Sequence, residues 1–272
     1  MTFITGLPKE TDFAQTLDRV SLLSHPVITL CGIKRLESEA LFVSSEGGGT
    51  LRETAKVEFA GRERYWCIAR KINGIIRRVL LAGLRRNGCT VEEPCVECEV
   101  CNLLGAFNPG KDKDRTVLSR ARFQDLISVQ EYVYDEKFRV RLPDDANQDA
   151  PTPFQEVIAP PGTEFPFIVR IIKPSQRDLN LFLYGNATSD SIGYGNYTKL
   201  RGQATTDWMF GAAGMIHLSV HRLLNTQRAE GTAVNEQMKS FAESLPTDKV
   251  SHGVQWQETV KQLSAELKSL EG

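Results

Sequence analysis

The chain has no apolar run long enough to cross a bilayer: its longest, residues 27–33, is far shorter than the roughly 20 residues a spanning helix needs. Its first twenty residues hold Lys9, Glu10, Asp12, Asp18 and Arg19 and no apolar core, so no secretory leader is expected. The short motifs of common enzyme classes are missing as well. There is no Gly-x-Ser-x-Gly elbow, no Gly-Lys-Ser/Thr phosphate loop and no Cys/His nucleophile pairing. The glycines at 193 and 195 lack the third glycine of a dinucleotide fingerprint. His217 and His221 stand four apart, a spacing that could share a helix face, but without the glutamate of a His-Glu-x-x-His protease. They are expected to be ordinary core or surface histidines. No internal repeat is evident. Charge of one sign is lacking too: 33 Lys and Arg against 34 Asp and Glu leave a net charge of −1. The molecule as a whole is not a polycation, so any nucleic-acid site is a local patch.

What is present is ordinary in bulk and unusual in places. The 272 residues, 41% hydrophobic and 25% charged, suffice for one large domain with insertions or two small ones. Four of the six cysteines, Cys89, Cys95, Cys98 and Cys101, crowd into one segment with C-x5-C-x2-C-x2-C spacing. A disulfide framework would spread them through the chain, so a reducing, cytoplasmic setting with a metal site is expected. Each C-x2-C step lets two thiolates converge on one ion, and four sulfurs close a tetrahedral shell of structural zinc. C-x2-C-x2-C also occurs in iron–sulfur proteins, which is the alternative. No histidine lies nearby, which argues against an open catalytic zinc.

A basic segment precedes the cysteines. Residues 62–86 carry eight cations (Arg62, Arg64, Arg70, Lys71, Arg77, Arg78, Arg85 and Arg86) against the single anion Glu63. No acidic partner sits at helical spacing, so the segment is read either as a phosphate-contacting surface or as a solvated face. Residues 136–142, EKFRVRL, alternate: Phe138, Val140 and Leu142 face one way and Lys137, Arg139 and Arg141 the other. That pattern suits an arm along a nucleic-acid backbone, and equally an edge strand guarded by charge. Gly193 and Gly195 could bring backbone amides close to phosphate or simply form a tight turn.

Periodicity predicts one or two strands over 26–46, a strand over 65–71 broken at Asn73-Gly74, a helix over 75–86, strands within 117–134 and over 136–142, a loop from 143, and a buried strand over 165–173. Two helices are expected over 234–245 and 256–270. Interleaved strands and helices point to an α+β fold.

In order along the chain, KINGIIRRVLLAGLRR, CVECEVCNLLGAFN, SRARFQDLISV, VIAPPGTEFPFIVRI and SIGYGNYTKLRG resemble the successive motifs of the repeat-associated (RAMP) superfamily of CRISPR proteins. They are most similar to the backbone subunit of type I-D Cascade and next to its type III relative. The resemblance covers about residues 26–205. It implies a ferredoxin-like, RNA-recognition-motif core: a single palm domain over 1–272, a metal-binding finger insertion at 87–116, a thumb hairpin at 136–154 and C-terminal helices at 228–272. It also implies a subunit that oligomerises in a helical filament along crRNA, beside other Cascade subunits and away from membranes, and presents the guide to target DNA or RNA. RNA contacts are expected at Arg70, Lys71, Arg77, Arg78, Arg85, Arg86, Arg120, Arg122, Lys137, Arg139, Arg141, Gly193 and Gly195, with Phe138, Leu142 and Phe154 as candidate wedges between bases. Type III relatives carry a target-cleaving aspartate after the first strand. No Asp occurs here between Asp18 and Asp112, so no enzymatic activity is expected. The rival reading is a type III-like endonuclease using a carboxylate such as Glu46.

Overall fold

The structure, a computed structural model, describes residues 4, 6–9, 25–43, 51–84, 88–109, 115–141, 152–195 and 201–268. The first half of these runs β1 (Val27–Leu36), β2 (Leu51–Glu53), β3 (Lys56–Phe59), β4 (Arg62–Cys67), α1 (Ala69–Gly83), α2 (Glu99–Leu104), β5 (Ala106–Asn108), β6 (Arg115–Val117), β7 (Ala121–Phe123) and β8 (Leu126–Glu131). Then come β9 (Glu136–Arg141), β10 (Thr152–Val157), β11 (Glu164–Ile172), α3 (Gln176–Ile192), β12 (Ala204–Ala213), α4 (Val220–Glu230), α5 (Val234–Glu243), β13 (Val250–His252) and α6 (Gly253–Lys268). The fold is mixed α+β.

A five-stranded sheet in the order β13-β12-β1-β11-β7, antiparallel at every pairing, forms the centre. β1 reads VITLCGIKRL, and its β-branched and apolar side chains suit a strand buried on both faces. Ile28, Leu30 and Leu36 join the core beneath α1 and α3, while Cys31 joins a second core with α4 and α5. The register of β12 on β1 slips at Cys31/Gly32, where Trp208 and Phe210 face consecutive β1 residues. This bulge sends Trp208 into the first core and Phe210 into the second.

α1 and α3 cross on the first face. Gly185 permits their approach: a Cβ there would lie 2.9 Å from both Ile76 Cγ2 and Leu80 Cγ. Ile76 and Leu80 are fully buried, each contributing about 1.5–3 kcal/mol by burial. α6 closes over α3 and β12 with Trp256 buried in the same core.

Three smaller sheets surround the centre. β3-β4-β8 is antiparallel, β9 and β10 form a hairpin with β2 parallel on β10, and β5 pairs with β6. No helix among the described residues is long and apolar enough to cross a membrane.

Several boundaries differ from expectation. α1 begins six residues before the predicted 75, and Asn73 and Gly74 lie inside it rather than breaking a strand. Its first residue has no local side-chain cap. Instead the Asp125 carboxylate, from the β7–β8 connection, accepts the Ala69 N–H at 2.8 Å and the Trp66 indole N–H at 3.0 Å. α3 has no separate amphipathic stripe because it is buried between α1 and α6, which hid it from periodicity. His217 precedes α4 and His221 lies within it, so they do not share a helix face.

Candidate metal centre and nucleic-acid interface

Cys89, Cys95, Cys98 and Cys101 converge, with all four sulfurs within 4.8 Å of one another. Cys89 Sγ lies 3.7 Å from Cys98 Sγ and 3.5 Å from Cys101 Sγ. A tetrahedral ion with metal–sulfur bonds of about 2.3 Å sets its sulfurs about 3.8 Å apart, so the set fits one such ion. A multi-iron cluster would spread its ligands by its own width. Backbone N–H groups point at the sulfurs: Cys95 to Cys89 at 3.4 Å, Cys98 to Cys95 at 3.3 Å and Cys101 to Cys98 at 3.4 Å. These amides favour thiolate over thiol. Burial pushes the Cys89 thiol up. A hydrogen bond from Cys98 holds Cys101 low, and the same bond drives Cys98 up to about 12. A bound cation would favour the thiolate form that ligation needs.

The cysteines are built into the core rather than hung from it. Cys98 caps α2, and Arg77 of α1 reaches Cys101 Sγ at 3.8 Å. Arg177 pairs with Glu99 at 2.9 Å, tying α2 to the start of α3. After α2, β5 and β6 form a short hairpin.

The basic segment divides by placement. Arg62 pairs with Glu131 of β8, and buried Arg64 donates to the Ser128 and Val129 carbonyls. Their partners come from another strand, not from helical spacing. On α1, Arg70 and Arg78 are exposed, with no ion pair or hydrogen bond from their side chains among the described residues. They stand two turns apart on one stripe with Gly74 between them. Lys71 and Arg77 are half-buried beside it, and burial pulls the Lys71 ammonium down. Arg85 and Arg86 lie outside the described residues.

Arg120 is a correction. It is 1% exposed. Its guanidinium grips Asp178 at 2.6 and 2.8 Å and donates to Asn102 Oδ1 at 2.7 Å and to the Lys173 carbonyl at 2.9 Å. The planar fork that would suit phosphate is spent inside the protein, locking α2 to the capping box of α3. Arg122, two residues on, is exposed on β7.

The glycine loop makes close approaches within the chain. Gly193 and Gly195 have φ of 104° and 97°. A Cβ at Gly193 would lie 2.1 Å from the Arg201 carbonyl oxygen and one at Gly195 2.6 Å from that of Leu41. Both serve a tight backbone approach within the chain, as a turn does, and the Gly193 N–H is bonded to Ser189.

Lys137, half-buried on β9, pairs with Glu39 at 2.7 Å just beyond β1. β9 and β10 pair antiparallel, with Phe138 of β9 74% exposed. Residues 142–151, Leu142 included, and the side chains of Arg139, Arg141 and Phe154 lie outside the described set, as does Glu46.

Sequence reasoning missed Lys34. Near the end of an apolar strand, it is 1% exposed. It bonds Asp190, Thr206 at 2.7 Å, Tyr194 at 3.0 Å and Asn186 at 3.1 Å, joining β1, α3, the glycine loop and β12. Burial pulls its ammonium down against the opposing pull of Asp190. A lone lysine within VITLCGIKRL was the available signal.

The chain matches no protein-family model and no curated protein. Solved structures do share its fold. A chain of a CRISPR RNA-guided surveillance complex superposes with a TM-score of 0.54 at 13% identity, covering 90% of this chain and 99% of that one. Csc2 of Thermofilum pendens superposes with a TM-score of 0.59 at 16% identity, covering 92% of this chain and 84% of its own.

Proposed function

We propose that this protein is a crRNA-binding backbone subunit of a Cascade-type CRISPR surveillance complex. The observation that carries the reading is the fold, shared over nine-tenths of the chain with Csc2 and with a chain of a surveillance complex. The sheet order β12-β1-β11-β7, with α1 and α3 as its crossovers, supports a ferredoxin-like core. The motif order favours the type I-D subtype and polymerisation of copies along the guide. The unpartnered stripe of Arg70 and Arg78 supplies phosphate contacts that do not depend on sequence, leaving specificity to base pairing with target, the division of labour known for other RNA-guided effectors. The four cysteines hold structural zinc: a closed set of four sulfurs leaves no open position for catalysis. The subunit itself is non-catalytic.

Size-exclusion chromatography with absorbance at 260 and 280 nm, before and after RNase, tests the reading on protein mixed with a guide-length RNA. A large RNA-rich species that collapses on digestion is expected. A monomer that ignores the RNA at low salt overturns it.

A further inference from the structure

A second cationic surface lies at the other end of the central sheet. Arg122 of β7 and Arg170 of β11 are direct cross-strand partners, an arrangement of like charges that costs stability. Arg170 donates from Nη2 to the carbonyls of Ile216 and Leu218 at 3.2 and 3.0 Å. Arg222 of α4 donates to the carbonyl between them, that of His217, at 3.1 Å. Two guanidinium groups therefore clasp the 216–218 connection and a third stands beside them. None of the three has a carboxylate partner among the described residues. The first turn of α4 has no acidic residue and carries Arg222 instead, against the preference set by the helix dipole. Met215 and His217 are exposed in the same connection, offering faces to bases that a small anion would not use.

This cluster is remote from Lys137 and the glycine loop. Arg170 pairs with Thr29 near the start of β1, whereas Lys137 and the glycine loop meet Glu39 beyond its end. Seven residue-to-residue steps, from Thr29 to Leu36, separate them by roughly 23 Å at about 3.3 Å per residue. Arg170 also shares the sheet face of Ile168, in the core with α4 and α5, opposite the face covered by α1.

We propose that Arg122 and Arg222, with Arg170 holding the 216–218 connection, form a second phosphodiester-binding surface, which engages a stretch of nucleic acid distinct from that on α1. The inference rests on the proposed RNA-binding function and extends it.

Fluorescence anisotropy of a labelled 30-nucleotide single-stranded RNA across a salt series tests it. The Arg122→Ala/Arg222→Ala protein is expected to bind more weakly, with a salt slope smaller by about 1.4 for two lost contacts. Combining it with Arg70→Ala/Arg78→Ala should add the two losses, as for independent sites. Arg122→Lys/Arg222→Lys should keep the slope. Wild-type affinity and slope in Arg122→Ala/Arg222→Ala, beside lost binding in Arg70→Ala/Arg78→Ala, overturns the second surface alone. A loss of self-association in place of RNA binding would also overturn it, assigning the arginines to an acidic protein surface. Wild-type behaviour in every variant overturns the RNA-binding reading as well.

Discussion

The junction of α2 with α3 and the outer stripe of α1 use the same residue type to opposite ends. At the junction, Arg120 is buried against Asp178 and Asn102, and Arg177 holds Glu99. On the stripe, Arg70 and Arg78 face solvent with no partner among the described residues. Both regions flank the cysteine centre, and Arg120 of one and Arg70 and Arg78 of the other were all expected to contact RNA. The difference is that a buried guanidinium must be matched by acceptors already in the fold, while an exposed one leaves its donors for something that arrives later. A count of positive charges therefore overstates a binding surface wherever the chain folds some of those charges inward.

The comparison breaks most sharply at Arg120. Arg120→Met should cost about 3–5 kcal/mol, because the buried Asp178 carboxylate loses its guanidinium. Urea unfolding measures this.

Next comes the metal. Cys98→Ser or a strong chelator should lower stability and zinc content together, by at least about 2.7 kcal/mol if the ion is held at a hundredfold its dissociation constant. Elemental analysis beside thermal unfolding checks both quantities. A variant that keeps its zinc and its stability would remove Cys98 from the ligand set. The two remaining cysteines offer a control: burial raises Cys31 strongly and pushes Cys67 up to about 12, so neither should alkylate in the native protein near neutral pH, whereas chelation should open the other four.

The smallest stability effect belongs to the stripe. Arg70→Ala/Arg78→Ala should change unfolding free energy by less than about 0.5 kcal/mol while reducing the salt slope of RNA binding by about 1.4. If stability fell instead and the slope stayed, the stripe would be structural and the contrast with the junction would vanish.

Legibility followed the range of the interactions involved. The C-terminal helices at 234–243 and 253–268 and strand β9 were readable because their patterns are local. The start of α1 was not, because its cap is Asp125, more than fifty residues on. α3 was hidden because burial between two helices erases the stripe that periodicity detects. Arg170 and Arg222 were passed over because only the 216–218 connection unites them.

By itself the sequence determined that four thiolates would meet, since C-x5-C-x2-C-x2-C leaves the sulfurs few ways to avoid one another, and that cations would crowd around residues 62–86. The tertiary structure alone decided which of the chain's cations stay free. Arg64 and Arg120 are consumed by carbonyls and carboxylates distant in sequence, Lys34 is walled in by β1, α3 and β12, and Arg70 and Arg78 remain in solvent. Charge is a property of each residue, but whether that charge is satisfied depends on which distant groups the fold brings to it.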